Sequence, residues 1–206
     1  MAKIAIFDYG AGNLFSLKSA LERNGAESVE IIYDLKEVDR FDGLVLPGVG
    51  NFDPAIKSIE GSAEHLDRAI EGGKPVMGIC LGMEMLFDRS EEGKLEGLKI
   101  LDGDVVMLPK GKVKIPHMGW NNLQIKGDSR FLKGVRDNSW VYFVHSYRAV
   151  PKNRRLVMAT SDYGVSVPAV IEKGSLIGVQ FHPEKSGDVG ALMIRNFIEM
   201  CDKEAK

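Results

Sequence analysis

The sequence predicts an α/β fold: a single domain over residues 1–206, built on a central, mixed, mostly parallel sheet flanked by helices, with an antiparallel extension. Three observations predict it. In the first half, short apolar runs alternate with helical periodicity, the pattern of parallel strands covered on both faces. In the second half, strand-like runs succeed one another with little helix between them, the pattern of antiparallel pairing. No Pro/Gly/Ser-rich linker or internal repeat divides the halves, and 206 residues fit one domain. A chain of that length buries roughly 70% of its extended surface, so no disulfide or metal is needed to hold it.

The elements follow in order. KIAIF (3–7) is an apolar strand that ends at the turn DYGAG. Asn13 can cap a helix that places Leu14, Leu17, Ala20 and Leu21 on one face, with Gly25 as its stop. SVEIIY (28–33), GLVLP (43–47) and KPVMGI (74–79) are further strands. Asn51 or Asp53, followed by Pro54, marks a helix start, and another helix follows KPVMGI. Beyond residue 100, GDVVML (103–108), NLQIK (122–126), WVYFVHSY (140–147), RLVMATSDYG (155–164), PAVIE (168–172) and SLIGVQFH (175–182) read as strands. EKGS (172–175) makes a hairpin turn between the last two. Val189, Leu192, Met193, Asn196, Phe197 and Met200 then recur at helical spacing, and Cys201 is ordinary packing on that helix.

Charge and cysteine usage exclude several classes. Lys+Arg 27 against Asp+Glu 29 leaves a net charge of -2 with no basic block, so nucleic-acid binding has no electrostatic footprint. Two cysteines, Cys80 and Cys201, are no disulfide framework, and reduced thiols point to the cytoplasm. The apolar run at the N-terminus is too short for a signal peptide, and no stretch reaches the 18 or so apolar residues of a membrane span.

DYGAGN (8–13) offers Gly10 and Gly12 after a strand, but Phe15 stands where a dinucleotide fingerprint needs its third glycine. That nucleotide site is excluded, and neither a cofactor nor a metal is expected. Gly78-Ile79-Cys80-Leu81-Gly82 has the form G-x-nucleophile-x-G between a strand and a helix, the setting of a nucleophile elbow. A small buried hydrophobe is the alternative for Cys80. A thiol of pKa about 8.5 needs about 2 kcal/mol of preferential thiolate stabilisation to be half ionised near pH 7. A helix N-terminus supplies about 0.3–1 kcal/mol, and a neighbouring imidazolium can supply the rest.

The histidines are His65, His117, His145 and His182. His182 stands in GVQFHPE, two residues from Glu184, and extended geometry would turn both to one face. Such a carboxylate can orient an imidazole and stabilise its charged form. An exposed loop histidine beside an unrelated glutamate is the alternative. LPGVGNF (46–52) sets glycines on both sides of Val49 at a strand end, a peptide able to approach a ligand closely. The order Cys, His, Glu differs from that of α/β-hydrolases.

PGVG, GICLGM and HPEKS, in this order and about thirty and one hundred residues apart, resemble the triad-type (class I) glutamine amidotransferases. The resemblance covers essentially the whole chain and implies a flavodoxin-like core. Within that family, DYGAGN, PGVGNF, PHMGWN (116–121), YFVHSYR (142–148) and HPEKS (182–186) resemble the glutaminase subunits of imidazole glycerol phosphate synthase.

The resemblance implies an enzyme that hydrolyses L-glutamine to glutamate and ammonia. Cys80 would be the nucleophile, His182 the acid and base, and Glu184 its orienting group. Leu81 N–H with the Val49–Gly50 segment would form the oxyanion hole. Gly50, Glu84, Ser146 and Tyr147 would bind substrate. The implied partner is a (β/α)₈-barrel cyclase subunit in a 1:1 heterodimer. It would use the ammonia to make imidazole glycerol phosphate and aminoimidazole carboxamide ribotide in histidine biosynthesis. Asn13, Trp120, Asn121, Tyr142 and Lys185 are the candidates for that contact face. Another class I amidotransferase, or a Cys hydrolase of the same fold acting without this partner, is the competing expectation. One position departs from the family: Glu84 stands where C-L-G-M-Q is expected. A carboxylate only accepts hydrogen bonds and would oppose thiolate formation nearby, unless Glu84 is a helix-surface residue.

Overall fold

The computed structural model describes residues 1–10 and 14–202. The first half reads β1 (Lys3–Phe7), α1 (Leu14–Arg23), β2 (Ser28–Ile32), β3 (Gly43–Leu46), α2 (Phe52–Ile59), α3 (Ala63–Glu71), β4 (Val76–Ile79) and α4 (Leu81–Glu84). The second half reads β5 (Arg89–Ser90), β6 (Gly103–Met107), β7 (His117–Asn122), β8 (Gln124–Ile125), β9 (Trp140–His145), β10 (Tyr147–Pro151), β11 (Val157–Asp162), β12 (Ser166–Lys173), β13 (Leu176–Val179) and α5 (Gly187–Cys201).

The main sheet has eight strands in the order β2-β1-β3-β4-β13-β12-β11-β8. The β2-β1-β3-β4-β13 portion is parallel throughout. It follows the 2-1-3-4-5 order of a flavodoxin-like sheet. β12, β11 and β8 extend it by antiparallel pairing. The expected mixed sheet with an antiparallel extension is therefore present.

Strand periodicity divides the core between the sheet's two faces. Ile4, Ile6, Val45, Met77 and Ile79 pack with Leu17 and Leu21 of α1 and with Phe197 of α5. Ala5, Phe7, Leu44, Leu46 and Val76 join Phe52, Ile59 and Leu66 of α2 and α3 on the other side. Burial on both faces explains why these strands read as unbroken apolar runs. Gly25 stops the chain after α1 at φ +108°, and Gly174 turns the β12–β13 hairpin at φ +62°. Cys201 is buried on α5, and neither cysteine is in a disulfide.

The second half departs from expectation in three places. WVYFVHSY is not one strand: it breaks at Ser146, so β9 pairs with β7 while β10 joins β6 and β5 in a separate sheet. NLQIK is likewise divided, β7 ending at Asn122 and β8 holding only Gln124 and Ile125. PHMGWN, with its Gly and Asn, has weak intrinsic strand preference, yet residues 117–122 pair residue by residue with β9. Cross-strand pairing overrides local propensity there. Asn51 precedes α2 without a side-chain cap. Asp53 instead accepts from Lys94 N at 2.9 Å and Leu95 N at 3.1 Å, so its carboxylate secures a loop. Asn13, expected to cap α1, lies outside the described residues. Among the described residues, no helix is long and apolar enough to cross a membrane.

Candidate active site

The carboxyl ends of three neighbouring parallel strands, β3, β4 and β13, converge on one cavity of about 330 Å³. This is where open α/β sheets hold ligands. Cys80 follows β4 at φ 47°, ψ -105°, a conformation L residues rarely adopt. The flanking glycines make that turn possible. A Cβ on Gly78 would lie 2.7 Å from the Gly82 carbonyl oxygen, and one on Gly82 would overlap the Leu46 carbonyl oxygen of β3. The pattern Gly-x-Cys-x-Gly thus records how closely α4 packs against two strands.

His182 is 1% exposed, and its Nδ1 stands 2.8 Å from Glu184 Oε1. The pair does not form along a strand as expected. β13 ends at Val179, and Pro183–Lys185 form a 3₁₀ turn that folds Glu184 back onto the ring. Ser186 secures this turn: its hydroxyl donates to His182 O at 2.6 Å and accepts from Tyr142 N at 3.0 Å. His182 N also donates to Tyr142 O at 2.9 Å, so β9 holds the histidine from both sides.

Cys80 and His182 line the same cavity without a hydrogen bond between them. The thiol instead faces Val144 O at 3.8 Å and Gln180 Nε2 at 3.7 Å, and His182 Nε2 has no partner. Burial, and then the Glu84 charge, push the Cys80 thiol well above its ordinary pKa. The imidazole–sulfur contact expected from the sequence is not formed in this structure. Leu81 N–H opposes this trend by hydrogen bonding to the sulfur. Gly48, Val49 and Gly50 line the cavity beside it. Gly50 sits at φ +128°, and a Cβ on Gly48 would meet His182 Cε1 at 3.0 Å.

Glu84 is not on a helix surface. It is 3% exposed, lines the cavity and accepts from Gln180 Nε2 at 3.2 Å. Burial is the main reason its carboxyl is raised to about 8. Ser146 and Tyr147, the candidates for substrate binding, form part of the wall, and Glu92, which carried no sequence signal, joins them. Sequence reasoning also missed Gln180 and Ser186. Gln180 stands two residues before His182, so strand alternation marks it. Ser186 lies within HPEKS, but its role depends on Tyr142 of β9, 44 residues away.

Of the contact-face candidates, Trp120 is 52% exposed and packs edge-on against Tyr142 at 5.9 Å. It is not a core aromatic. Met118, on the same face of the ribbon, is 63% exposed and was not anticipated. Lys185 is exposed beside Val49. Asn121 turns inward, its amide nitrogen donating to Asp162 O at 2.9 Å. Asn13 lies outside the described residues.

A strained cysteine elbow, a His–Glu pair and a glycine-rich strand end meet at one crevice of the sheet. A model of the family described as glutamine amidotransferase class-I matches residues 5–201, and the chain belongs to that family. The imidazole glycerol phosphate synthase subunit HisH of Caldanaerobacter subterraneus subsp. tengcongensis is 50% identical over 200 residues, covering 96% of this chain and 98% of that one. The subunit of the same name from Methanosarcina barkeri is 44% identical over 204 residues, covering 98% and 100%. Within the family the chain thus stands among the HisH-type members. The fold alone is shared with the PurLQS structure from Thermotoga maritima, at TM-score 0.74 and 20% identity over 100% of both chains. It is shared too with the glutaminase domain of Trypanosoma brucei CTPS, at TM-score 0.69 and 20% identity over 98% and 94%.

Proposed function

We propose that this chain is the glutaminase subunit of imidazole glycerol phosphate synthase, acting through Cys80, His182 and Glu184. The observation that carries the proposal is the arrangement of the Cys80 elbow and the His182–Glu184 pair, 2.8 Å apart, on one cavity. Cys80 attacks the glutamine side-chain carbonyl carbon while His182 takes the thiol proton. Leu81 N–H and an amide of the Gly48–Gly50 segment hold the tetrahedral oxyanion, each donor contributing about 3 kcal/mol to the barrier reduction. The C–N bond then breaks, His182 returns its proton to the departing ammonia, and a γ-glutamyl thioester remains. Water, deprotonated by His182, releases glutamate and restores the thiol. Glu184 accepts from His182 Nδ1–H throughout and fixes the tautomer that leaves Nε2 to act.

The cavity's polar lining fits glutamine. Among the described residues it holds Glu84 and Glu92 but no lysine or arginine. Both carboxyls offer oxygen acceptors to the substrate's α-ammonium and amide N–H groups, Glu84 through its carbonyl oxygen while it keeps its proton, and the α-carboxylate is left to backbone N–H groups of the Ser146–Tyr147 wall.

Free ammonia would be lost to water, so a receiving partner is part of the proposal: the synthase's cyclase subunit, in a 1:1 complex. The relatives' names support this, as does the exposed apolar face of Met118 and Trp120. The raised thiol and unpartnered His182 Nε2 support low glutaminase turnover until that partner binds. The test is Cys80→Ala assayed with the cognate cyclase. Glutamine-dependent synthesis is expected to vanish while ammonia-dependent synthesis survives; retention of the first overturns the mechanism, and loss of both makes Cys80 structural.

A further inference from the structure

Two histidines that take no part in this chemistry face each other across the β7–β9 ladder. His117 and His145 are 3% and 5% exposed. His117 Nδ1 stands 2.9 Å from His145 Nε2, and His145 Nδ1 stands 2.7 Å from the Tyr147 carbonyl oxygen. A carbonyl only accepts, so His145 carries its proton on Nδ1. In a neutral ring Nε2 is then an acceptor, and His117 must donate from its own Nδ1. His117 Nε2 accepts in turn, with the Asn121 amide nitrogen 3.4 Å away. One acceptor at the end of the chain therefore sets both tautomers.

The surroundings keep both rings neutral and fixed. Burial holds His117 down to about 4 and His145 to about 3, and the other ionisable groups acting on His145 are His117 and His182. A second proton on His145 would set two N–H donors head to head. His117 lies between Tyr163 and Phe143, at centroid distances of 3.8 and 4.6 Å.

What the relay holds is the cavity wall. β10 is an edge strand of its three-stranded sheet, and the Tyr147 carbonyl is taken by the His145 ring. The Ser146 carbonyl is anchored separately by Leu108 N at 2.9 Å. At its other end the relay reaches β7, where His117 is buried while Met118 and Trp120 are exposed.

We propose that His117 and His145 are positioning residues, a neutral two-imidazole relay that holds the Ser146–Tyr147 wall of the glutamine cavity and ties it to the ribbon carrying Met118 and Trp120. The proposal rests on the glutaminase reading, and the test separates the two. Nitrogen-edited NMR of the four histidines should show the Nδ1–H tautomer at both rings, and an Nε2–H tautomer at His145 overturns the relay. In the second arm, a glutamine-shaped diazoketone that alkylates Cys80 reports binding (KI) and chemistry (kinact) separately, with iodoacetamide as a small control reagent.

For His117→Ala, KI should rise about five- to tenfold, the value of one hydrogen bond, while kinact and the iodoacetamide rate stay within about twofold. His117→Asn places an amide N–H where Nδ1–H stood and should return KI to within about twofold of the original protein. An unchanged KI in His117→Ala, equal impairment in both variants, or iodoacetamide and KI shifting together overturns the proposal. Should His117→Ala not fold, His117→Asp takes its place: similar in shape to Asn but without the donor, it must be impaired where Asn is not. The inactivation is measured on the complex with the cognate cyclase; if the unaltered protein shows no saturable inactivation there, the glutaminase reading falls, and the tautomers alone decide the relay.

Discussion

Gln180 donates to Glu84 across 3.2 Å, and the same amide nitrogen lies 3.7 Å from Cys80 Sγ. Cys80 therefore shares its buried surroundings with an acid that burial raises to about 8. Tyr9, Cys80, Gln180, Glu92 and Tyr147 are the titratable or polar groups coupled to that carboxyl.

Glu84→Gln should stabilise the protein increasingly as pH rises. The native state retains the Glu84 proton up to about 8, whereas the unfolded chain releases it near 4.5. Protons held by the native state alone make stability fall with rising pH across that window. Relative to the original protein, the variant should gain little at pH 5 and on the order of 4 kcal/mol above pH 8. Urea unfolding at the two pH values measures this; a difference that does not vary with pH refutes it. The same variant removes the second largest influence raising the thiol, so iodoacetamide should react with Cys80 at lower pH.

Glu184→Gln should cut the glutamine-dependent rate by at least about 10²-fold with little change in folding stability. The amide can donate as well as accept, so it no longer enforces the Nδ1–H tautomer of His182. Steady-state kinetics of the complex checks this. A drop of less than about threefold would remove Glu184 from the mechanism.

Ser186→Ala leaves Tyr142 N–H and His182 O without their shared partner in a buried turn. A loss of about 1–3 kcal/mol is expected in denaturant unfolding. The diazoketone's kinact should fall along with it, because the turn that carries His182 and Glu184 loosens. Full stability with full reactivity would show the clamp to be dispensable.

Gly82→Ala drives a methyl into the Leu46 carbonyl and should cost about 2–4 kcal/mol, or roughly 4–16 °C in Tm for a chain of this size. Gly61 has open space around a would-be Cβ, so Gly61→Ala should stay within about 0.5 kcal/mol. Thermal melts of the two variants side by side separate close packing from a general intolerance of alanine.

Much of this structure was legible in the sequence wherever the signal was local. The parallel strands announce themselves as apolar runs because both faces are buried, and α1 and α5 by helical spacing of their apolar residues. GICLG marked an elbow because glycine is the residue that fits there. Legibility failed where the partner was far away in sequence. The break at Ser146 follows from β9 and β10 joining different sheets, and β7 exists because residues 140–145 are there to pair with it. Glu84 read as ambiguous because nothing near it in sequence shows that Gln180, 96 positions on, stands within hydrogen-bonding reach.

Sequence by itself determined the α/β class, the order of the elements in the first half, the elbow position of Cys80 and the closeness of His182 to Glu184, because each depends on residues a few positions apart. The tertiary structure decided the state of the site. It buried Cys80 so that its pKa is pushed above the ordinary thiol value, buried Glu84 beside it, and set His182 in the same cavity without a bond to the sulfur. Desolvation and long-range hydrogen bonds control those features, and both depend on which distant segments the fold brings together.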